Sequence, residues 1–527
     1  MKHFTSQEVR KLRTEFWTKQ NHKELPEVSL IADKDSTALF NVAGMQPLIP
    51  YLMGKEHPMG KRLFDIQKCV RTVDIAEVGD CSHLTFFEMM GNWSLGDYFK
   101  KEAVTRSWEF LTKYLELDPR KLAVTVFAGD ESAPRDEETA GYWQEAGLPK
   151  ERISYLPADN NWRSPGPVGP CGPDTEIFYR VGESEFPPEG SNVGTDEDHW
   201  MEIWNNVFME FYRDEKWTLS KLKKQNVDTW MGFERICKVL QEVDTVYETD
   251  CFVPAMKVIT EQTGKNYEEQ GRRFRIIADH SRTSFMLIND GLIPSNVGAG
   301  YVLRMIIRRM VYTMYLLKNF TFEEYQTFFA LLLKSFEGLR NFNEKEIIRV
   351  LMDEVKLFTK TIQNGMTLLK DLIEKLKKEN KNLIPWEEVF KLYDTYGFPL
   401  ELTQEIAEEE KMAIDQAGYE KQVKEAKERS RNATKEMFKK GTDWSKYLEG
   451  IPQTQFVGYD EVETSDAKLL KDFDVDGQRV LIFDKTPFYA EMGGQKGDFG
   501  KVILDSGEEV EIKDVQTFAG VSLHLVK

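Results

Sequence analysis

Cysteine is scarce in this chain: five residues in 527, an odd number with no close pair. That excludes a disulfide framework and points to reduced thiols in a cytosol. No apolar core of a signal peptide opens the chain, and no apolar run is long enough to span a bilayer, so no membrane partner is expected. Gly-x-x-x-x-Gly-Lys-Ser/Thr is missing, which argues against a P-loop nucleotide site. None of the seven His forms a His-x-x-x-His pair, the usual helical zinc motif. Cys69, Cys81 and His83 lie near one another, but at a spacing that fits no ordinary zinc motif. No Gly-x-Ser-x-Gly elbow supports a serine hydrolase. Excess positive charge is also lacking: 70 Lys and Arg face 88 Asp and Glu, a net charge of −18. The whole molecule therefore does not advertise itself as a nucleic-acid binder, and no DNA partner is expected.

What is present is enough for real cores. Hydrophobic residues make up 41% of the chain, and its length suggests about three domains at roughly 150 residues each. Residues 271–309 run against the global charge, with seven Arg facing only Asp279 and Asp290. Thr5-Ser6-Gln7-Glu8 is a capping box, with Val9, Leu12 and Phe16 on one face of the helix it opens. From about residue 28 to 250, β-rich runs such as Leu122–Phe127 alternate with Gly/Pro loops and short helices. Gly166–Pro173 is too rich in Gly and Pro for regular structure and is expected to be a shaped loop near a ligand. After about residue 255 the chain turns helical, and Ile347, Leu351, Val355, Phe358 and Ile362 mark an amphipathic helix. Residues 401–440 read as a helical, solvated charged face. Strand texture returns at 453–527, with a turn at Asp505-Ser506-Gly507. The expectation is an α+β chain with domains at 1–255, 256–450 and 451–527.

Two stretches point to chemistry. Asn226–Ile236 ends in Gly-Phe-Glu-Arg-Ile, with Asp228 seven residues before Arg235. A fixed guanidinium beside a backbone with little side-chain cover suits nucleotide phosphates; alone, a helical Glu-Arg pair is a solvated ion pair. Arg71 follows the strand-like Phe64-Asp65-Ile66 and precedes a loop. From there an Arg can hold a phosphate oxygen and stabilise charge developing at phosphorus, or simply form a surface salt bridge. The aromatic run His83–Met90 can stack a purine or pack a core.

Taken together, Gln67-Lys68-Cys69-Val70-Arg71-Thr72, the run His83–Phe99 and Asn226–Ile236 resemble motifs 2 and 3 of class II aminoacyl-tRNA synthetases. In detail they resemble those of the alanyl-tRNA synthetase family. The resemblance runs along essentially the whole chain. Leu39–Met45 looks like the family's motif 1 segment, and Glu202–Met209 like the strand of its alanine pocket. It implies the class II antiparallel sheet flanked by helices in 1–255, a helical tRNA-recognition domain in 256–450, and a β-barrel leading toward an editing domain in 451–527. It implies that Arg71 contacts the ATP α-phosphate, that Phe86, Phe87 and Met89 form the adenine site, and that Arg235 contacts the γ-phosphate. Trp162, Asn205 and Asp228 are the implied alanine-binding residues, Asp228 holding the ammonium. Asn296 and Asp394 are the implied readers of a G·U pair in the acceptor stem, with Arg304, Arg308 and Arg309 on phosphates.

The implied activity joins L-alanine to tRNA(Ala) at the expense of ATP with Mg²⁺, in the cytoplasm, as a step of protein biosynthesis. No Mg²⁺ ligands can be named. The alternative is a non-catalytic tRNA-binding paralogue; a free-standing editing hydrolase would need zinc-ligand His at a spacing this chain lacks. Trp230 stands where the family has Gly, an indole where close backbone approach to the ligand is expected. Asp174 replaces a common Cys, Ala299 an Arg, and Asp35-Ser36-Thr37 the usual Asp-Pro-Thr. Thr486–Gln495 resembles the lead into the editing domain, whose zinc-binding motifs are expected to follow Lys527, so zinc is not expected here.

Overall fold

The structure is a computed structural model. It describes the chain except residues 1–2, 33–37, 74, 76, 165, 167, 183–185, 197–198, 296–297, 339–340, 395–397, 399, 425–446, 449, 453, 458–463, 465, 476–477, 489, 491–497, 505 and 519–520, and except the side chains at 360–363, 394, 401, 405, 409, 517 and 518. Two compact units emerge: residues 1–293 with 306–354, and residues 294–305 with 355–527.

The first unit is built on one mixed sheet. Its strands are β1 (Lys23–Glu24), β2 (Arg62–Val70), β3 (Phe86–Leu95), β4 (Leu122–Phe127), β5 (Ile153–Leu156), β6 (Trp162–Arg163), β7 (Gly169–Arg180), β8 (Trp200–Arg213) and β9 (Leu219–Gly232). The order is β1-β2-β3-β9-β8-β7-β4-β5, with β6 paired to β7. Every pair from β2 to β4 along this order is antiparallel; only β1–β2 and β4–β5 are parallel. Helix α1 (Ser6–Lys19) starts at the capping box read from the sequence: the Thr5 side chain accepts from Glu8 N–H, and the Glu8 side chain accepts from Thr5 N–H. Val9 and Phe16 of α1 are buried. The sheet is also accompanied by α2 (Lys100–Glu109), α3 (Glu137–Ala146), α4 (Phe233–Leu240), α5 (Val253–Thr263) and α6 (Tyr267–Asn289). Beyond these lie α7 (Gly298–Leu317), α8 (Phe322–Ser335) and α9 (Glu344–Lys378), the last carrying the amphipathic stripe that begins at Ile347. Among the described residues no helix is long and apolar enough to cross a membrane.

The Gly/Pro segment 166–173 departs from its expectation. From Gly169 onward it is the start of β7, paired with Arg213, Tyr212 and Phe211 of β8. The register shifts between Cys171 and Asp174, so the ladder is interrupted at Pro173, which has no N–H to give it. Gly172 has to be glycine: a Cβ there would collide with the Phe208 carbonyl of the paired strand.

The second unit carries the short helices α10 (Trp386–Asp394) and α11 (Leu400–Glu409) and a separate antiparallel sheet. That sheet orders its strands as Leu469–Val475, Gln478–Phe483, Val521–Val526, Glu509–Phe518 and Gly500–Ile503. Alternation along Gln478–Phe483 feeds two cores: Val480 and Ile482 pack with Leu523, while Leu481 packs with Val510 and Ile512. Gly507, at φ 82°, turns the hairpin between the last two strands of this order.

In the first unit, residues of β3 facing α1 and α6 are not all apolar. Arg282 of α6 is buried and donates to Glu234 Oε1 of α4 at 2.7 Å and to Glu88 Oε2 of β3 at 3.3 Å. Arg10 of α1 pairs with the same Glu88 and lies 4.0 Å from the Phe233 ring centroid. Replacing Arg282 with Met would leave two buried carboxylates without their shared cation. Arg282→Met is therefore expected to lower unfolding free energy by about 3–5 kcal/mol. Urea unfolding of the purified chain measures this, and a loss near zero would mean that the network contributes nothing to stability.

Candidate active site

Cross-strand register assembles the site. Asp65, Gly91, Trp230, Asn205 and Glu176 form one row across β2, β3, β9, β8 and β7. Leu63, Trp93, Asp228, Val207 and Asp174 form the next row. Residues opposite one another in a ladder, or two apart along a strand, point to the same face, so the two rows share one surface.

Arg71 immediately follows β2. Its N–H donates to the Thr85 carbonyl at 3.0 Å, and its Nε donates to the Val42 carbonyl at 3.2 Å. The guanidinium stands 5.1 Å from the Phe87 ring centroid and 5.8 Å from that of Trp230. Arg235 lies in the first turn of α4 and donates to Glu202 Oε2 at 3.0 Å. Both arginines line one pocket of about 70 Å³ with Phe87, Trp230, Gly232 and His83. Gly232 is the N-cap of α4, and no side chain caps the helix there. Two cations and an uncapped helix N-terminus suit polyanionic phosphate, and Phe87 offers a stacking face.

The carboxylates next to this pocket are displaced from their ordinary range. Burial pushes Asp228 up to about 7, while the hydrogen bond from Trp93 Nε1, at 2.7 Å, acts in the opposite sense. Asn205 Nδ2 donates to Asp174 Oδ2 at 2.6 Å and to Glu176 Oε1 at 3.3 Å. Burial raises Asp174 to about 7 and Glu176 to about 8, and for both the Arg163 guanidinium opposes the rise. Arg163 pairs with Glu176 and stands 3.6 Å from Asp174. Asn205 Oδ1 and Asp174 Oδ1 are buried with no hydrogen-bond partner. Such a surface favours a small cationic ligand, which stabilises the charged form of each carboxylate it meets.

The structure thus brings Arg71, Arg235 and Phe87 into one pocket, with Asp228 and Asn205 in adjacent rows. Met89 is buried opposite Gly232 on the same face. Trp162 pairs with Pro173, next to Asp174, and its ring contacts Phe211 at 5.6 Å and Phe127 at 5.3 Å. Phe86 does not join the site. Neighbouring strand residues point to opposite faces, and Phe86 is fully buried with Arg282 4.7 Å from its ring centroid. Strand alternation read along Phe86–Leu95 is the signal that separates Phe86 from Phe87. Arg304 lies on α7; Asn296 and the side chain of Asp394 lie outside the described residues. Sequence reasoning passed over Trp93, Glu202 and Arg163. No sequence pattern links Trp93 to Asp228, 135 residues away; only the register does.

The family model described as tRNA synthetases class II (A) matches residues 8–527. A protein named alanine–tRNA ligase from Borrelia hermsii is 45% identical over 453 residues, covering 82% of this chain and 74% of the relative. One of the same name from Treponema denticola is 45% identical, covering 84% and 75%. One from Caldicellulosiruptor saccharolyticus is 39% identical over 551 residues, covering 100% of this chain and 61% of the relative. With a match that takes in the pocket and both flanking regions, the chain belongs to the class II (A) tRNA synthetases.

Proposed function

We propose that this chain activates L-alanine with ATP and passes the alanyl group to the 3′ end of tRNA(Ala). The observation that carries the reading is the pairing of Arg71 and Arg235 on one pocket, one row from the buried carboxylate of Asp228. The alanine carboxylate attacks the α-phosphorus, the bond to the β-phosphate breaks, and pyrophosphate leaves with its charge. A terminal ribose hydroxyl of tRNA then attacks the carbonyl, and AMP leaves. Little covalent work falls to the protein, so its contribution is position and field. Arg71 stabilises charge at the α-phosphate and Arg235 holds the far end of the triphosphate. Phe87 stacks the adenine, and Asp228, oriented by Trp93, receives the substrate ammonium.

The family implies a divalent cation. Glu202 has one buried oxygen, Oε1, without a hydrogen-bond partner, beside the oxygen that binds Arg235. A single hard oxygen donor fits an ion held mostly by substrate phosphates, and magnesium there would neutralise charge on the leaving pyrophosphate. We assign adenylate formation to residues 1–255 and acceptor-stem recognition to 256–450, with Asn296 and Asp394 on base edges and Arg304 on the backbone. Residues 451–527, which carry the five-stranded antiparallel sheet, follow them in the chain. The cytoplasm is the site of action this reading requires.

Three outcomes follow. Arg71→Ala and Arg235→Ala should each cost alanine-dependent ATP–pyrophosphate exchange about 3–4 kcal/mol of transition-state stabilisation. Near-normal exchange in both would remove these arginines from the nucleotide assignment, whereas a wild-type chain with no alanine-dependent exchange would favour the non-catalytic alternative. The second concerns pH. Asp228 must be ionised to hold the ammonium, so kcat/KM for alanine should rise as pH passes upward through about 7. Trp93→Phe removes the hydrogen bond that favours the charged form, so its profile should shift to higher pH; an unshifted profile would show that another group sets it. Third, Trp230→Gly opens a pocket of about 70 Å³, far below the roughly 300 Å³ at which ligand pockets begin. A lower KM for ATP is expected, and an unchanged KM would mean that the nucleotide does not pass the indole.

A further inference from the structure

The segment between Arg71 and Thr85 joins the two strands that carry the nucleotide pocket, and two helices grip it. Thr85 N–H donates to Asp279 Oδ1 of α6 at 2.8 Å. Asp279 Oδ2 lies 2.8 Å from Nδ1 of the neighbouring His280, and His280 Nε2 lies 3.2 Å from Arg309 Nη1 of α7. Arg309 also donates to two carbonyls of the segment, Ile75 at 2.5 Å and Val78 at 3.4 Å. Arg275 of α6 donates to the Gly79 carbonyl at 3.2 Å. Gly79, at φ 117°, leaves no room for a side chain, because a Cβ would press on Arg272 and Ile276 of α6.

The donors and acceptors allow one arrangement. Arg309 has only protons to give, so His280 Nε2 accepts, Nδ1 carries the proton, and Asp279 accepts twice. His280 is fully buried, and burial holds its pKa below the ordinary value, as the neutral tautomer requires. Thr85, at the end of this chain of bonds, accepts from the backbone N–H of Arg71.

We propose that Arg309 is a positioning residue for adenylate formation: acting directly on Ile75 and Val78, and through His280 and Asp279 on Thr85, it sets the place of the Arg71 guanidinium. The role rests on the function proposed above for the pocket. Asp228 and Trp93 sit in the strand rows and are not part of this chain of bonds, so the effect falls on ATP rather than alanine. Misplacement by about 1 Å can cost a hundredfold in rate.

The test is alanine-dependent ATP–pyrophosphate exchange with the full chain, ATP and alanine titrated separately. Arg309→Ala should lower kcat/KM for ATP about ten- to a hundredfold while the alanine KM stays within about twofold, and Arg309→Lys should recover most of the loss. Unchanged ATP kinetics in Arg309→Ala, or an alanine KM that moves as far as the ATP term, overturns the proposal. If Arg309→Ala does not fold, His280→Gln and His280→Leu replace it. Gln can accept from Arg309 and donate to Asp279, whereas Leu can do neither; ATP kinetics retained by Gln and lost by Leu support the role, and equal kinetics overturn it. A wild-type chain without alanine-dependent exchange would instead remove the function on which the role rests.

Discussion

Arg282 is buried between two carboxylates, Glu234 and Glu88, and Arg10 reaches Glu88 from a third element. Charges taken out of water have to be paired, and each of these four belongs to a different segment: α1, β3, α4 and α6. The pairing admits few alternative arrangements. Glu88 directly follows Phe87 and Glu234 directly precedes Arg235, so fixing the two carboxylates fixes their neighbours. Phe87 is turned to the opposite face of the sheet, and Arg235 is set at the rim of the pocket. A charge network on one side of the sheet thereby governs what the other side presents.

The pocket side has a different electrostatic character. Asp228, Asp174 and Glu176 all sit well above the ordinary carboxylate range because burial disfavours their charged forms. They are cheap to leave neutral without ligand and become charged when a cation arrives. Arg71 and Arg235, by contrast, bring guanidinium groups to the pocket. The surface therefore divides into a fixed positive end for phosphate and an adjustable negative end for an ammonium group, a few residues apart along β9.

How much of this is legible in the sequence depends on distance along the chain. The capping box at Thr5, the strand Leu122–Phe127, the hairpin turn at Gly507 and the stripe beginning at Ile347 are local patterns, and local physics suffices to read them. The motif around Arg71 and that around Arg235 are also contiguous, which is why their nucleotide chemistry can be suspected from residue order alone. The strand at Gly169 was hidden because the register shift that takes in Pro173 depends on the partner strand β8.

By itself the sequence determined the residue types, the periodicities and the α+β class, since these follow from side-chain spacing and backbone preference. It also carried the motifs by which the chain joins its family. Which side of the sheet each aromatic faces was decided only by the register: Phe86 went to the Arg282 network and Phe87 to the pocket. The same register joined Trp93 to Asp228 across 135 residues and set Asn205 between two carboxylates. The tertiary structure likewise brought Arg309 onto the segment behind Arg71, more than 230 residues earlier in the chain. Hydrogen bonds reach about 3 Å, and no pattern along a chain encodes which distant residues will come that close until the strands have paired and the helices have packed.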